Sequence, residues 1–296
     1  MSLLSVRRRH RSQRIKRFFL CVTVIACCIT SKVRLPSSRA LPRAIRELRR
    51  NQVDWNLRVE KARLRPRFNP SNVPQIYVIS LRRTAERRKP LVAALERLGV
   101  KYTIFPAVDG TLEFDPSDVL KYAGARRRKK LKDIKTLYSG RSDTSLILHE
   151  RLRFGCYLSH VRLWERQQEA SEGFQVILED DVSLTEAFSR SLEDSLRALP
   201  ESWDIFYLNS CHTKYGQELR ANIRQVRGAL CTHGYAISLQ GTVKLLGKTA
   251  LRSEKPVDHM LDEAIYSSLL EAYHAWPPLI YTQQVNSTLG YVSHRA

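Results

Sequence analysis

Three consecutive carboxylates, Glu179-Asp180-Asp181, follow the apolar run FQVIL at Phe174–Leu178. Adjacent like charges repel, so the triplet calls for a counter-charge. A divalent cation answers that need, because hard cations such as Mg²⁺ or Mn²⁺ prefer oxygen ligands, and a cation held there can in turn hold a diphosphate. The competing reading is an exposed turn or helix start, with Ser183 and Thr185 as caps. If repulsion dominates, removing one of the three charges leaves stability unchanged or raises it. A second cluster, Ser80, Arg82, Arg83, Glu86, Arg87 and Arg88, follows QIYVISL at Gln75–Leu81. Its guanidinium groups suit bidentate pairing with phosphate; alternatively they pair with Glu86 on a solvated helix. Asp109-Gly110 follows KYTIFPAV, and Asn209 follows DIFYL.

The elements that carry these clusters are legible from periodicity. Gln75–Leu81, Lys101–Val108, Phe174–Leu178, Asp204–Leu208 and Gly234–Ser238 are short apolar runs rich in β-branched and aromatic residues, which predicts strands. Helical spacing covers Thr84–Leu98, ended by Gly99, then Cys156–Ala170, Leu192–Leu199, Gln240–Thr249 and Val257–Leu270. Ala272–Tyr281 is a last extended stretch, and Asp115–Leu148 is an irregular excursion with short helices. Alternating strands and helices give an α/β fold, a Rossmann-like, mostly parallel sheet flanked by helices. In such sheets ligands bind outside the carboxyl ends of the strands, where all four polar clusters fall.

Other chemistries lack their signatures. There is no G-x-G-x-x-G, no G-x-x-x-x-G-K-[ST] and no G-x-S-x-G. Cys156, Cys211 and Cys231 are isolated, with no C-x-x-C pair for zinc. Cys156 and His160 stand at helical i,i+4 spacing, a nucleophile–base arrangement that a buried Cys beside a structural His explains more simply.

The chain is basic, with 50 Lys and Arg against 29 acids. Residues 1–70 hold 19 of those basic residues but 3 of the acids, and residues 121–153 hold 11 basic and 3 acidic. The rest is near neutral, so no nucleic-acid partner is expected. Seven basic residues precede the uncharged run Phe18–Thr30, the pattern of a signal anchor. Basic bias before the run places the amino terminus in the cytosol and the body in a lumen. A cleaved signal peptide, with secretion, is the alternative. The expected organisation is a basic tail with a short anchor at 1–35, an Arg- and Pro-rich stem at 36–72, and one catalytic domain at 73–296. Asn286-Ser287-Thr288 is an N-glycosylation triplet.

In order, IYVISLRRTAERR, FPAVDG, FGCYLSHVRLWER, VILEDDV, WDIFYL, GYAIS and PVDHML resemble glycosyltransferase family 25, which includes lipopolysaccharide and procollagen β-galactosyltransferases. The resemblance covers roughly residues 74–281. It implies a GT-A-like fold, a UDP-sugar donor, a divalent metal, inversion at the anomeric carbon, and a glycan or glycoprotein acceptor in the Golgi or endoplasmic reticulum. Transferred onto this sequence, Ser80, Arg83 and Arg87 line the nucleotide pocket and Asp109 sits beside the nucleoside. Glu179 and Asp181 take the metal, Asp180 faces the sugar or ribose, and Gly155, Ser159 and His160 shape the donor pocket. Asp258 is the candidate base, or else the N-cap of its helix. Galactose is the expected sugar, glucose the alternative; a catalytically inactive relative that binds a partner through the same fold is a further alternative.

Overall fold

The computed structural model describes residues 75–131, 144–170, 173–220, 222–248 and 253–283. The anchor and stem (1–72), the start of the predicted domain and the Asn286 triplet lie outside the described residues. No helix among the described residues is long and apolar enough to cross a membrane.

The strands are β1 (Gln75–Ser80), β2 (Tyr102–Pro106), β3 (Phe174–Glu179), β4 (Val182–Leu184), β5 (Ile205–Arg220), β6 (Ile223–Ser238), β7 (Ala272–Ala275) and β8 (Ile280–Thr282). Six of them form one sheet in the order β2-β1-β3-β6-β5-β7. β1 pairs in parallel with β2 and β3, and β5 with β7, while β6 is antiparallel to β3, β5 and β7. Five strands therefore share one direction and β6 alone opposes them. This is the mostly parallel α/β sheet expected from the sequence.

The helices are α1 (Lys89–Arg97), α2 (Pro116–Tyr122), α3 (Ala125–Leu131), α4 (Thr144–Ala170), α5 (Phe188–Ala198), α6 (Leu239–Lys248) and α7 (Val257–Tyr266). Alternate residues of each strand feed opposite layers, as pleating requires. Ile76, Val78, Val176, Leu178 and Phe206 pack with Leu91 and Leu95 of α1 and Leu192 and Leu196 of α5. Tyr77, Ile79, Ile177, Tyr207 and Tyr235 pack with Tyr157, Leu158, Val161 and Trp164 of α4 and with Met260, Leu261 and Ala264 of α7. Helices thus cover both faces. Gly99 ends α1 as predicted: its φ is +65°, and the Gly99 and Val100 N–H groups bond Glu96 O and Leu95 O at 3.0 and 2.9 Å, a Schellman closure.

Several expectations need correction. Arg82–Arg88 is a 3-10 segment ahead of α1, with a non-helical break at Thr84, because Pro90 favours a fresh helix start. α4 begins well before Cys156. Ser183 lies in β4, and the residue preceding α5 is Ala187, with no side-chain cap. Within the basic excursion Arg127 is buried: it donates through Nε to Glu150 at 2.6 Å and lies over Phe154 and Tyr157.

Candidate functional site

The chain leaves β1 toward β2 on one side and returns to β3 on the other, so a crevice opens where β1 and β3 end together. Register sets Ile79 beside Glu179, which places Ser80 and the acidic triplet at one edge. The counter-charge to the triplet comes first from the protein. Arg87 lies 3.1 Å through Nε from Asp180 Oδ1 and pairs through its other end with Asp181 Oδ2. Arg88 Nη1 reaches the buried Ser80 hydroxyl at 3.3 Å. Burial pushes the Asp180 and Asp181 carboxyls upward, and Arg87 opposes that rise. Glu86 pairs with Lys89 at 2.5 Å rather than with the arginines.

Glu179 faces the other way. The Thr232 hydroxyl donates to its Oε1 at 2.7 Å. His160 Nε2 lies 3.7 Å from the same oxygen, and His233 Nδ1 lies 3.6 Å from Oε2. Burial alone raises the Glu179 carboxyl, but the two imidazoles outweigh it and hold the group well below the usual range. Reciprocally, burial lowers His233, and Glu179 outweighs that to raise it. His160 is oriented from behind. Trp164 Nε1 donates to the Tyr235 hydroxyl at 3.1 Å, and that hydroxyl lies 2.8 Å from His160 Nδ1. With its oxygen engaged by Trp164, Tyr235 sends its own proton to Nδ1, an assignment from the hydrogen-bond pattern that leaves the Nε2 proton facing Glu179.

Thr232 and His233 arrive by an irregularity of β6. The β5–β6 register runs Tyr207↔Tyr235, Asn209↔Gly234, then Cys211↔Leu230. Two steps on β5 span four on β6, so Cys231, Thr232 and His233 form a bulge. A Cys211–Cys231 disulfide closes it, with Cα atoms 5.5 Å apart. Cys231 adopts a left-handed φ of 66°. The cysteines that look isolated in sequence are thus bonded, and Cys156 remains free.

The residues fit a divalent cation on their donor chemistry. Glu179, Asp181 and His233 bring ligand atoms all within 4.8 Å of one another. Asp181 Oδ1 and His233 Nδ1 are buried without a hydrogen-bond partner. Two neighbouring groups are poorer candidates. The disulfide removes both thiolates beside His233, and burial drives the Cys156 thiol well upward, away from the thiolate that metals require.

The remaining predicted residues fall into three sets. Arg83 Nε and Asp109 Oδ2 pair at 2.7 Å, while Thr111 donates its N–H and hydroxyl to Asp109 Oδ1 at 2.9 and 2.7 Å. Burial raises Asp109, but Thr111 and Arg83 outweigh it and lower the carboxyl. Gly155 and Ser159 contact the backbone after β2. A Cβ on Gly155 would stand 2.5 Å from Val108 O, and Ser159 Oγ accepts the Val108 N–H at 2.9 Å. They bring the Val108–Gly110 loop against α4 and so back the loop that carries Asp109. Asp258 does not cap its helix, since Pro256 holds that position. It accepts the Cys231 N–H at 3.4 Å and the His259 N–H at 2.9 Å. One turn on, Asp262 accepts the Ala229 N–H at 3.0 Å, so α7 grips β6 at two alternate residues.

Sequence profiles place this arrangement in a family. The profile described as Glycosyltransferase family 25 (LPS biosynthesis protein) matches residues 73–227. A "Glycosyltransferase 25 family member" of Aedes aegypti is 30% identical over 246 residues, covering 75% of this chain and 38% of that protein. The "Inactive glycosyltransferase 25 family member 3" of Homo sapiens is 28% identical over 78% of this chain and 39% of its own length. "Procollagen galactosyltransferase 2" of Mus musculus is 26% identical over 74% and 36%. The chain spans about two fifths of the length of the curated relatives it matches. On the profile match over residues 73–227, the chain belongs to glycosyltransferase family 25.

Proposed function

We propose that this chain transfers a hexose, galactose in the first instance, from a UDP-sugar to a hydroxyl of a glycan or glycoprotein acceptor, with inversion at the anomeric carbon. The observation that carries this reading is the convergence of Glu179, Asp181 and His233, two of them with buried unsatisfied ligand atoms, beside Arg87 at the β1–β3 crevice. Those three residues would hold the divalent cation, and an imidazole in the set favours Mn²⁺ over Mg²⁺. A cation bound there offsets charge on the departing diphosphate. Arg87, whose Nε and Nη2 lie on Asp180 and Asp181, would meet phosphate oxygens by exchanging one of those partners. Arg83 and Asp109 form the polar wall on the nucleoside side, and Asp180 faces the sugar or ribose. Asp258, half-buried and accepting through both oxygens, takes the acceptor hydroxyl's proton as general base.

The Cys211–Cys231 disulfide supports a lumenal site, because such bonds persist in oxidising compartments. With the basic tail and apolar run, it fits a type II anchored protein of the Golgi or endoplasmic reticulum. An inactive, partner-binding role is the second reading, favoured by Arg87: it contacts both Asp180 and Asp181 and so supplies part of the counter-charge from the protein itself. The deciding experiment is UDP-sugar turnover and acceptor transfer across a donor panel, with and without Mn²⁺. Mn²⁺-dependent turnover of UDP-galactose supports the proposal, and preference for UDP-glucose reassigns the donor. No turnover with any donor leaves the binding role.

A further inference from the structure

We infer that the Cys211–Cys231 disulfide is a positioning element of the candidate donor site, so that its reduction disengages the site while leaving the sheet folded. The bulge it closes delivers three consecutive groups inward. The Cys231 N–H goes to Asp258, the Thr232 hydroxyl to Glu179, and the His233 imidazole to the space between Glu179 and Asp181. Cys211 Sγ also lies 3.5 Å from His233 Nε2, so the sulfur bridge backs the imidazole directly. The bulge needs a restraint of this kind. Its residues break the β5–β6 ladder, and Cys231 holds a left-handed φ of 66°, a backbone that a non-glycine residue keeps only where its surroundings restrain it. Beyond Cys231 the regular pairing resumes at Gly234↔Leu178 on β3, which keeps the sheet independent of the bond.

The chemistry of switching is ordinary exchange. A dithiol reductant attacks the bridge, the S–S bond breaks, and its two electrons and two protons leave Cys211 and Cys231 as thiols while the reductant closes to a cyclic disulfide. The freed bulge then loses the restraint on Thr232 and His233.

The inference rests on reading the Glu179 cluster as the donor site, and the test separates the two. Three samples are compared well below their melting temperatures: oxidised protein, protein reduced with a dithiol, and the Cys211→Ala/Cys231→Ala variant. Amide hydrogen exchange resolved to residues 229–235 reports the geometry without any ligand. Mn²⁺ titration in the presence of UDP reports the site. Loss of the bridge is expected to raise exchange at residues 231–233, leave β1 and β3 protected, and weaken Mn²⁺ binding by about tenfold or more, the range typical of supports to metal ligands. Reoxidation restores both. Unchanged exchange at the bulge overturns the inference, and so does Mn²⁺ affinity that stays the same while melting temperature falls. If the oxidised protein binds no Mn²⁺ and turns over no donor, the functional reading fails, and the exchange result alone decides whether the bridge fixes the bulge.

Discussion

Asp258 accepts the backbone N–H of Cys231 at 3.4 Å, so the residue nominated as general base also steadies the strand that presents His233. The two duties separate by substitution. In Asp258→Asn the side-chain oxygen still accepts one N–H, but proton acceptance is gone. Transfer should fall about 10²–10⁴-fold while melting temperature and Mn²⁺-dependent UDP binding stay near normal. A loss below about tenfold assigns Asp258 to structure alone. Asp262→Asn, which perturbs only the Ala229 contact one turn on, should leave turnover intact.

Asp181→Asn tests the cluster. Repulsion within the triplet predicts that the change leaves stability the same or raises it, but the Arg87 pairing reverses that sign. Losing one charge-assisted partner of a mostly buried guanidinium should destabilise the metal-free protein by about 1–3 kcal/mol in urea unfolding. Mn²⁺-dependent UDP binding should weaken in the same variant. Normal Mn²⁺ affinity would remove Asp181 from the metal set.

The His233–Glu179 contact gives stability a pH dependence. His233 is raised above the ordinary imidazole value of 6.5, against its burial, by Glu179, with Asp181 and Asp258 adding to the effect. A raised group contributes fully below its unfolded pKa and loses that contribution as pH rises through its folded value. The melting temperature of metal-free protein should therefore decline from pH 6.5 upward. At the acid end the lowered Glu179 contributes above its unfolded value and loses that as pH falls through its folded one. His233→Gln should flatten the decline above pH 6.5; an unchanged slope means another group causes it.

Tyr235→Phe removes the hydroxyl that links Trp164 to His160 and leaves a buried indole N–H unpaired. About 1–3 kcal/mol of stability should be lost, with weakened Mn²⁺ binding as Glu179 loses its oriented neighbour. Loss of stability with unaltered Mn²⁺ affinity would confine the network to the core.

Gly155→Ala adds a methyl 2.5 Å from Val108 O, against backbone that cannot swing aside. The overpacked helix–loop contact should cost about 1–3 kcal/mol and shift Asp109, so UDP affinity should drop along with melting temperature. Unchanged UDP binding would place Asp109 outside the pocket.

The central sheet was legible because its inner strands are continuous apolar runs, and β1, β2 and β3 appear within one or two residues of the predicted bounds. What failed was local. β5 and β6 run on to Arg220 and back from Ile223 through polar, partly exposed residues with repeated register shifts, which carry no two-residue alternation to read. α4 starts ahead of Gly155 because that glycine serves close packing on Val108 rather than a helix boundary. Within the site, the acidic triplet and Arg87 were visible from charge density at strand ends. Thr232 and His233 were not, because a bulge places them and nothing in GALCTHGYAIS marks a bulge. The disulfide was equally hidden: its cysteines are 20 residues apart and belong to no spacing motif.

Because β6 runs against its neighbours, the polypeptide enters the carboxyl edge of the sheet along β6, whereas it departs from that edge along β1, β3 and β5. The hairpin between Cys211 and Cys231 is therefore a closed excursion, tied off where it leaves and where it returns. The far part of the ring is itself built into the fold: Ile223–Val226 pair with β7, Ile223, Val226 and Ala229 are buried, and Asp262 holds the Ala229 N–H. On the near side of the bond Tyr207 and Tyr235 pair, and with them comes the floor under His160. A single covalent bond thus fixes the span of a hairpin that is held at its near end by sulfur and farther out by the sheet edge it joins.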